Sequence, residues 1–481
     1  MPLTTLIDEL RSLLCDAAVV SDPSELLVYE SDGFTIAKAR PRAVVFPTST
    51  AEVIEVVKLL NRHDVQIVPR GSGTGLAGGC VAFDGGVIVS TSRMNRILRI
   101  DIENRIALVQ AGVRNTQLSE AVWALPGGEG LHFAPDPSSQ RASTIGGNAA
   151  TNAGGIHTLK DFVSSNHVFG VEMVLADGTR LQTGGENGSS ERGPIDWVGL
   201  ICGSEGTLGI ITSLWVRLAP RPLAFRTVVG TFASSSDASS AVAEIIATGL
   251  LPAAMEMMDG QMVRVVEEAF EFGLPANAQA LLLTEIDGID ELLDEQADRI
   301  VRIHRKYQAI TVQSSGDAER RQYLWKVRKG AFGAIGRISR SYCTQDACVP
   351  RSMLVEVLRR IDEIGREHGM RITNVFHAGD GNVHPIFLYD DRDEDQVQNT
   401  LRAAQKVLQF CVDVGGTITG EHGVGVEKIH LMPYLFDEPT MNLFSRIKRA
   451  FDPEERINPG KMVPSEKVKV RLLKPGRKVP Q

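Results

Sequence analysis

The residues best spaced to do chemistry are two histidines in His377-Ala378-Gly379-Asp380-Gly381-Asn382-Val383-His384. Asp-Gly is a strong two-residue hairpin signal, and centring the turn on Asp380-Gly381 places His377 directly opposite His384 between strands over 372–376 and 386–388. Opposed residues have Cβ atoms about 4.5–5.5 Å apart, so both imidazoles reach one ion, and Gly379 and Asn382 share their face. Two imidazoles favour zinc, with manganese and iron as alternatives, and a carboxylate is the expected third ligand. Glu421 fits that place, in Thr419-Gly420-Glu421-His422-Gly423-Val424-Gly425, with Asn382 and Asp380 as the nearest substitutes. Its neighbour His422 is flanked by glycine, a setting for a loop imidazole beside a ligand rather than for a core histidine.

A second chemistry belongs to glycine. Val68-Pro69-Arg70-Gly71-Ser72-Gly73-Thr74-Gly75-Leu76-Ala77-Gly78-Gly79 lets successive backbone N–H groups turn inward, the make-up of an anion cradle suited to a pyrophosphate. Its G-x-G-x-x-G is not the Rossmann fingerprint, because Cys80-Val81-Ala82-Phe83 and the strand-like Val87-Ile88-Val89-Ser90 follow where a helix should open. No Lys-Ser or Lys-Thr closes the loop, which removes the nucleotide triphosphate P-loop. Two further segments follow: Pro135-Asp136-Pro137-Ser138-Ser139 leading to Ser143-Thr144-Ile145-Gly146-Gly147-Asn148 and Thr151-Asn152-Ala153-Gly154-Gly155, then Cys202-Gly203-Ser204-Glu205-Gly206-Thr207-Leu208-Gly209-Ile210-Ile211. Three such segments imply one large, flat, polar ligand gripped along its length.

The elements that must position these residues read as α+β. Ser49 and Glu52 form a capping box for a helix ending near His63, and a strand over 65–68 feeds the first glycine loop. A hairpin over 97–102 and 106–111 and a helix over 116–125 follow. Pro220-Arg221-Pro222 ends one domain. Beyond it, strands over 226–232, 280–286 and 310–313 with helices over 241–247 and 291–307 predict an antiparallel sheet with helices on one face.

Arg328 lies on a helix whose Leu324 and Val327 face inward; taken by itself it reads as a solvated helix arginine. At 481 residues, 43% hydrophobic and 23% charged, the chain has the make-up of a soluble protein of two or three domains. A net charge of −8 argues against nucleic acid as partner. The exception is the basic tail with Lys467, Lys469, Arg471, Lys474, Arg477 and Lys478, a frayed end or a dock for an acidic partner or lipid surface. Acids at Asp8 and Glu9 speak against an export signal, and no stretch approaches the roughly 18 apolar residues of a membrane span. A cytoplasmic protein, peripheral at most to the membrane, is the expectation. The six cysteines show no cluster-binding spacing and are read as reduced thiols.

The three glycine segments, in this order, resemble the flavin-binding domain of the FAD-linked oxidase family that includes vanillyl-alcohol oxidase, and the rest of the chain resembles its glycolate oxidase D-subunit and D-lactate dehydrogenase branch. The resemblance implies a two-part FAD-binding domain over 1–221 and a ferredoxin-like antiparallel-sheet cap domain over 222–420. A segment over 421–465 would return to the flavin, and 466–481 would form the tail. It implies that Pro69, Arg70, Gly71, Ser72, Gly73, Thr74, Gly75 and Leu76 hold the pyrophosphate. Pro135, Asp136, Ser143, Gly146, Gly147 and Asn152 would lie along the cofactor, Glu205 and Ile210 would meet its ribose and adenine end, and Asn458 would contact the ring. Some relatives attach flavin to a histidine of the first loop; this loop has none, so FAD is expected to be non-covalent.

By the same resemblance His377, His384 and Glu421 bind the metal, His422 is the base, Asn382 joins the catalytic face, and Arg328 clamps the substrate carboxylate. Relatives acting on D-2-hydroxyglutarate have a threonine one turn after that arginine and a lysine farther on; here Phe332 takes the first place and 341–346 holds no basic residue. A small 2-hydroxy monocarboxylate, glycolate or D-lactate, is the expected substrate. D-2-hydroxyglutarate and a non-catalytic electron-relay subunit are the alternatives. The electron acceptor stays open between an iron–sulfur partner subunit and a membrane quinone pool.

Overall fold

The computed structural model describes residues 3–185, 195–465, 468, 470 and 472. The basic residues of the tail, Lys467, Lys469, Arg471, Lys474, Arg477 and Lys478, lie outside the described residues. The described residues divide into two compact units, one within 1–155, 162–221 and 421–472, the other of 156–161 and 222–420.

Among the described residues the first unit holds two larger sheets and a short pair, Leu131–His132 with Ala219–Pro220. In the smaller, strands run in the order Val19–Val20, Ala43–Val45, Val87–Ser90, Ile67–Arg70, the last three parallel. Their valines and isoleucines are fully buried because both faces are covered. The helix Thr50–Arg62 makes the crossover from Ala43–Val45 to Ile67–Arg70, the two strands that flank Val87–Ser90. Its N-terminus is capped by Ser49, which accepts from Glu52 N at 3.2 Å, while the Glu52 carboxylate reaches back to Thr48 N at 2.6 Å, one residue earlier than a reciprocal capping box would have it. The larger sheet is antiparallel, in the order Ile97–Asp101, Ile106–Gln110, Ile210–Arg217, Val168–Val174, Arg180–Gly184.

The second unit is one antiparallel sheet of eight strands. Its first four strands, Ala224–Phe232, Ala254–Asp259, Ala280–Gly288 and Ala309–Ser315, lie side by side in the order fourth, first, third, second, with Ser235–Ala247 and Asp290–Lys306 as connecting helices. That is the ferredoxin-like arrangement. The sheet continues from Ala254–Asp259 through Ile372–His377 and Asn382–Tyr389 to Ser341–Thr344. The helix Thr158–Asp161, reached in sequence from the first unit, belongs here: Lys160 pairs with Asp287.

One buried imidazole of this unit stands among apolar neighbours. His304 is fully buried, edge-on to Phe232 with ring centroids 5.4 Å apart, and neither ring nitrogen has a hydrogen-bond partner among the described residues. Gly230 makes the room, since a Cβ there would lie 2.5 Å from His304 Nδ1. Burial pulls the imidazole down from 6.5 to about 4. The unfolded chain therefore takes this proton first, and stability is lost as pH falls from about 6.5 to about 4, by about 3 kcal/mol in all. His304→Leu is expected to flatten that part of the pH dependence of the denaturant midpoint; an unchanged slope between pH 6.5 and 4 would assign the acid lability to other groups.

Candidate active site

The three glycine segments meet in the first unit. The first loop follows Ile67–Arg70 without a helix, and Ser72 donates to Ala142 O. A Cβ on Gly71 would sit 2.5 Å from Thr144 Oγ1, so these two segments touch. The third is tied to the second by Gly203 N to Ala149 O at 2.9 Å and Glu205 N to Ala150 O at 2.7 Å, and Gly206 packs on Pro69. Gly73 has φ +73°, and its missing Cβ leaves space for the Arg70 guanidinium, which would otherwise lie 2.1 Å away. That guanidinium turns into the protein: it donates to Ser31 O at 3.0 Å and Cys80 Sγ at 3.3 Å, beside the buried Asp32, whose carboxyl burial pushes up to about 6.

The side chains of these segments differ in what they do. Asn152 accepts from Ser165 N at 2.9 Å and caps the helix Ile145–Thr151 in a left-handed conformation. Pro135 O accepts from Asn115 Nδ2 at 2.8 Å, Asp136 O stands where a Cβ of Gly155 would be, and Ile210 is buried at the start of its strand. Ser143 Oγ is buried with no hydrogen-bond partner among the described residues. Asn458, with φ +46°, donates from Nδ2 to Gly79 O at 2.9 Å and Glu205 O at 2.8 Å, tying the first loop to the third segment and leaving Oδ1 buried without a partner. Closely approaching glycine backbone with two buried oxygens that have no hydrogen-bond partner among the described residues fits a large polar cofactor.

The histidine hairpin forms in a register different from the one expected. His377 pairs with Asn382 and His384 with Val375, so the loop is the four residues 378–381 and the two histidines are diagonal rather than opposed. The Asp-Gly pair does turn the chain, with Gly381 at φ +78°, but Ala378 and Gly379 are drawn off by the carbonyl of Met255 on the neighbouring strand. A shift of two residues keeps the side-chain face, and the ring centroids are 4.9 Å apart. Asn382, buried, shares that face and lies against Gly420. Gly420 N and Thr419 Oγ1 donate to the buried Asp346 at 2.6 and 3.1 Å, which fixes the chain one residue before Glu421. His377 and His384 turn their rings to one face of this unit, and Glu421 follows Gly420 directly in the chain. His422 Nε2 is 4.0 Å from Glu421 Oε1.

A residue not singled out from the sequence completes the constellation. Glu256, fully buried on Ala254–Asp259, pairs in register with His377, and its Oε1 is 2.5 Å from His377 Nδ1. Its Oε2 accepts from Arg328 Nε at 2.8 Å and pairs with the guanidinium's Nη2 at 2.8 Å. Burial pushes the Glu256 carboxyl up, but His377 and Arg328 outweigh it and hold it below the usual range. Arg328 is thus no solvated helix arginine: it is 8% exposed, on the Ala318–Lys329 helix, where Arg321 and Trp325 likewise bond a buried carboxylate, Glu285, each at 2.8 Å. Glu256 stands behind His377 at Nδ1, and a carboxylate behind a ligating histidine fixes its ring. Two imidazoles and one carboxylate fit zinc, manganese or iron. The sequence signal was a single acid inside Ala253-Ala254-Met255-Glu256-Met257-Met258, since a charge in an apolar strand requires partners.

A glycine-lined cofactor cradle in one unit and a buried His377–Glu256–Arg328 cluster in the other fit a flavin-dependent oxidoreductase. Residues 41–184 match the family described as "FAD binding domain", and 221–462 match "FAD linked oxidases, C-terminal domain". The chain belongs to the FAD-linked oxidases, and FAD is its cofactor. It is 38% identical to "Glycolate oxidase subunit GlcD" of Escherichia coli (strain K12), over 96% of this chain and 91% of that one. It is 34% identical to "D-lactate dehydrogenase" of Archaeoglobus fulgidus, over 95% and 99%. Among solved structures, p-cresol methylhydroxylase matches with a TM-score of 0.79 at 17% identity, covering 97% of this chain and 98% of that one. The 4-ethylphenol oxidase from Gulosibacter chungangensis matches at 0.77 and 21%, with the same coverage. These two establish the fold. No helix among the described residues is long and apolar enough to cross a membrane.

Proposed function

We propose that the chain oxidises a small 2-hydroxy monocarboxylate, glycolate or D-lactate, to the 2-oxo acid. The observation that carries this reading is Glu256, which holds in one buried carboxylate both a histidine of the metal-ligand set and the arginine suited to a substrate carboxylate. The names of the relatives support the substrate class. FAD, when bound, supplies the acceptor for hydride from the α-carbon, and a divalent metal on His377, His384 and Glu421 supplies Lewis acidity at the substrate's oxygens.

The chain's own groups do the rest. Arg328, its Nε and Nη2 fixed by Glu256, presents Nη1 to the substrate carboxylate and sets the orientation of the α-carbon. His422 takes the hydroxyl proton at a ring nitrogen, and Asn382 holds the substrate's polar edge through the carboxamide oxygen that the protein leaves unpaired. The three glycine segments hold FAD without a covalent bond. That one relative is called a subunit supports a partner protein as the route for electrons, with an iron–sulfur subunit and the membrane quinone pool as the acceptors to test and the cytoplasm as the setting.

The test is anaerobic mixing with both enantiomers of a panel of 2-hydroxy acids, D-2-hydroxyglutarate included, while flavin absorbance is followed. Bleaching by glycolate or D-lactate is expected; no bleaching by any acid would leave an electron-relay subunit, and bleaching by the dicarboxylate alone would move the substrate class. Acid or heat should release all of the flavin from precipitated protein. Gly73→Val should yield mainly apoprotein, because its Cβ displaces Arg70 and φ +73° disfavours a β-branched residue.

A further inference from the structure

The segment that carries Glu421 and His422 continues as Gly423-Val424-Gly425, and its backbone ends on a side chain of the third glycine segment. Val424 N donates to Glu205 Oε1 at 2.6 Å and Gly425 N to Oε2 at 2.7 Å. Gly423 has φ +86°, so the amides that follow it point to one side and form a small concave nest for an anion. The anion is the carboxylate of Glu205, 8% exposed. A Cβ on Gly423 would lie 2.8 Å from Glu205 Oε1, and one on Gly425 would lie 1.9 Å from Ala77 O. Both glycines are therefore required by the approach.

Glu205 is itself fixed on both sides. It has φ +52°, a conformation disfavoured for a non-glycine residue and held here by its own N–H on Ala150 O at 2.7 Å and its carbonyl under Asn458 Nδ2 at 2.8 Å. The strained residue aims its carboxylate at 424–425, and Val426 N on Ala77 O at 2.9 Å secures the next step of the same segment.

We infer that Glu205 is a positioning residue for Glu421 and His422: its carboxylate anchors the backbone immediately after them and fixes where the two side chains stand. This rests on the roles proposed above for those residues. It differs from the cofactor contact that the family resemblance implies for Glu205, because both carboxylate oxygens are turned to the 424–425 amides.

The experiment is Glu205→Gln in the full-length, FAD-loaded protein, read by amide hydrogen exchange at Val424 and Gly425, by FAD affinity of the reconstituted apoprotein, and by steady-state kinetics. A carboxamide puts an NH2 where one of the two carboxylate oxygens accepts, so exchange at one or both of these amides should rise at least about 10-fold and kcat should fall on the order of 10- to 100-fold, with KM and FAD affinity little changed. Unchanged exchange overturns the inference, and weaker FAD binding with unchanged exchange returns Glu205 to the cofactor. Faster exchange with full turnover keeps the anchor and instead overturns the role given to His422. Should Glu205→Gln fail to fold, Gly423→Ala strains the same contact from the other side with Glu205 intact, and the same rise in exchange is required of it.

Discussion

The His422→Ala variant is expected to keep FAD and divalent metal but to reduce its flavin about 10²- to 10⁴-fold more slowly on mixing with substrate, the usual contribution of a positioned general base. Glu421→Ala, His377→Ala and His384→Ala are expected to lose metal and activity together, because each removes one arm of the proposed three-residue ligand set. The contrast is demanding: Glu421 and His422 are adjacent, and His422 Nε2 is 4.0 Å from the Glu421 carboxylate, so the two roles are separated by geometry rather than by distance along the chain. Metal analysis beside anaerobic stopped-flow absorbance measures both. A metal-free His422→Ala protein, or a fully metallated Glu421→Ala protein, would exchange or dissolve the assignments, and Asn382 and Asp380 would be the next ligands to test.

How much of this site is legible in the sequence depends on what each residue needs in order to be seen. The histidine hairpin is legible because strand alternation has a period of two. The register slipped by two residues, from His377 opposite His384 to His377 opposite Asn382, and the shared face survived, where a slip of one would have destroyed it. The glycine segments are legible as a cradle from composition, but their meeting point is not, since Ser72 finds Ala142 and Glu205 N finds Ala150 O only through tertiary packing. Glu256 is hidden for the same reason: it is 121 positions from His377 and 72 from Arg328, and only strand pairing with the first and packing of the Ala318–Lys329 helix for the second make them neighbours. Nor could local pattern assign the short helix Thr158–Asp161 to the second unit, because the Lys160–Asp287 pair that holds it spans 127 positions.

Glu256 also carries the largest expected effect on stability. Glu256→Ala leaves the Arg328 guanidinium, 8% exposed, without its anion, and Arg328→Ala leaves a fully buried carboxylate facing only His377. Breaking one side of a buried pair costs about 3–5 kcal/mol, because the surviving charge keeps its desolvation penalty and loses its compensation. Both single variants should therefore unfold at markedly lower denaturant concentration, and the activity lost in Arg328→Ala will mix misfolding with weakened substrate binding. The double variant Glu256→Leu/Arg328→Leu separates them: with both charges gone it is expected to be more stable than either single variant, while remaining inactive. In that protein His377 also loses the acceptor on Nδ1, so metal affinity should fall by about 10- to 100-fold. Equilibrium unfolding of the three proteins and metal titration of the soluble ones decide the matter. If the double variant is as unstable as the sum of the singles, the pair is not coupled and Glu256 acts on His377 and Arg328 separately; if metal affinity is unchanged, the carboxylate behind His377 does not orient it as a ligand.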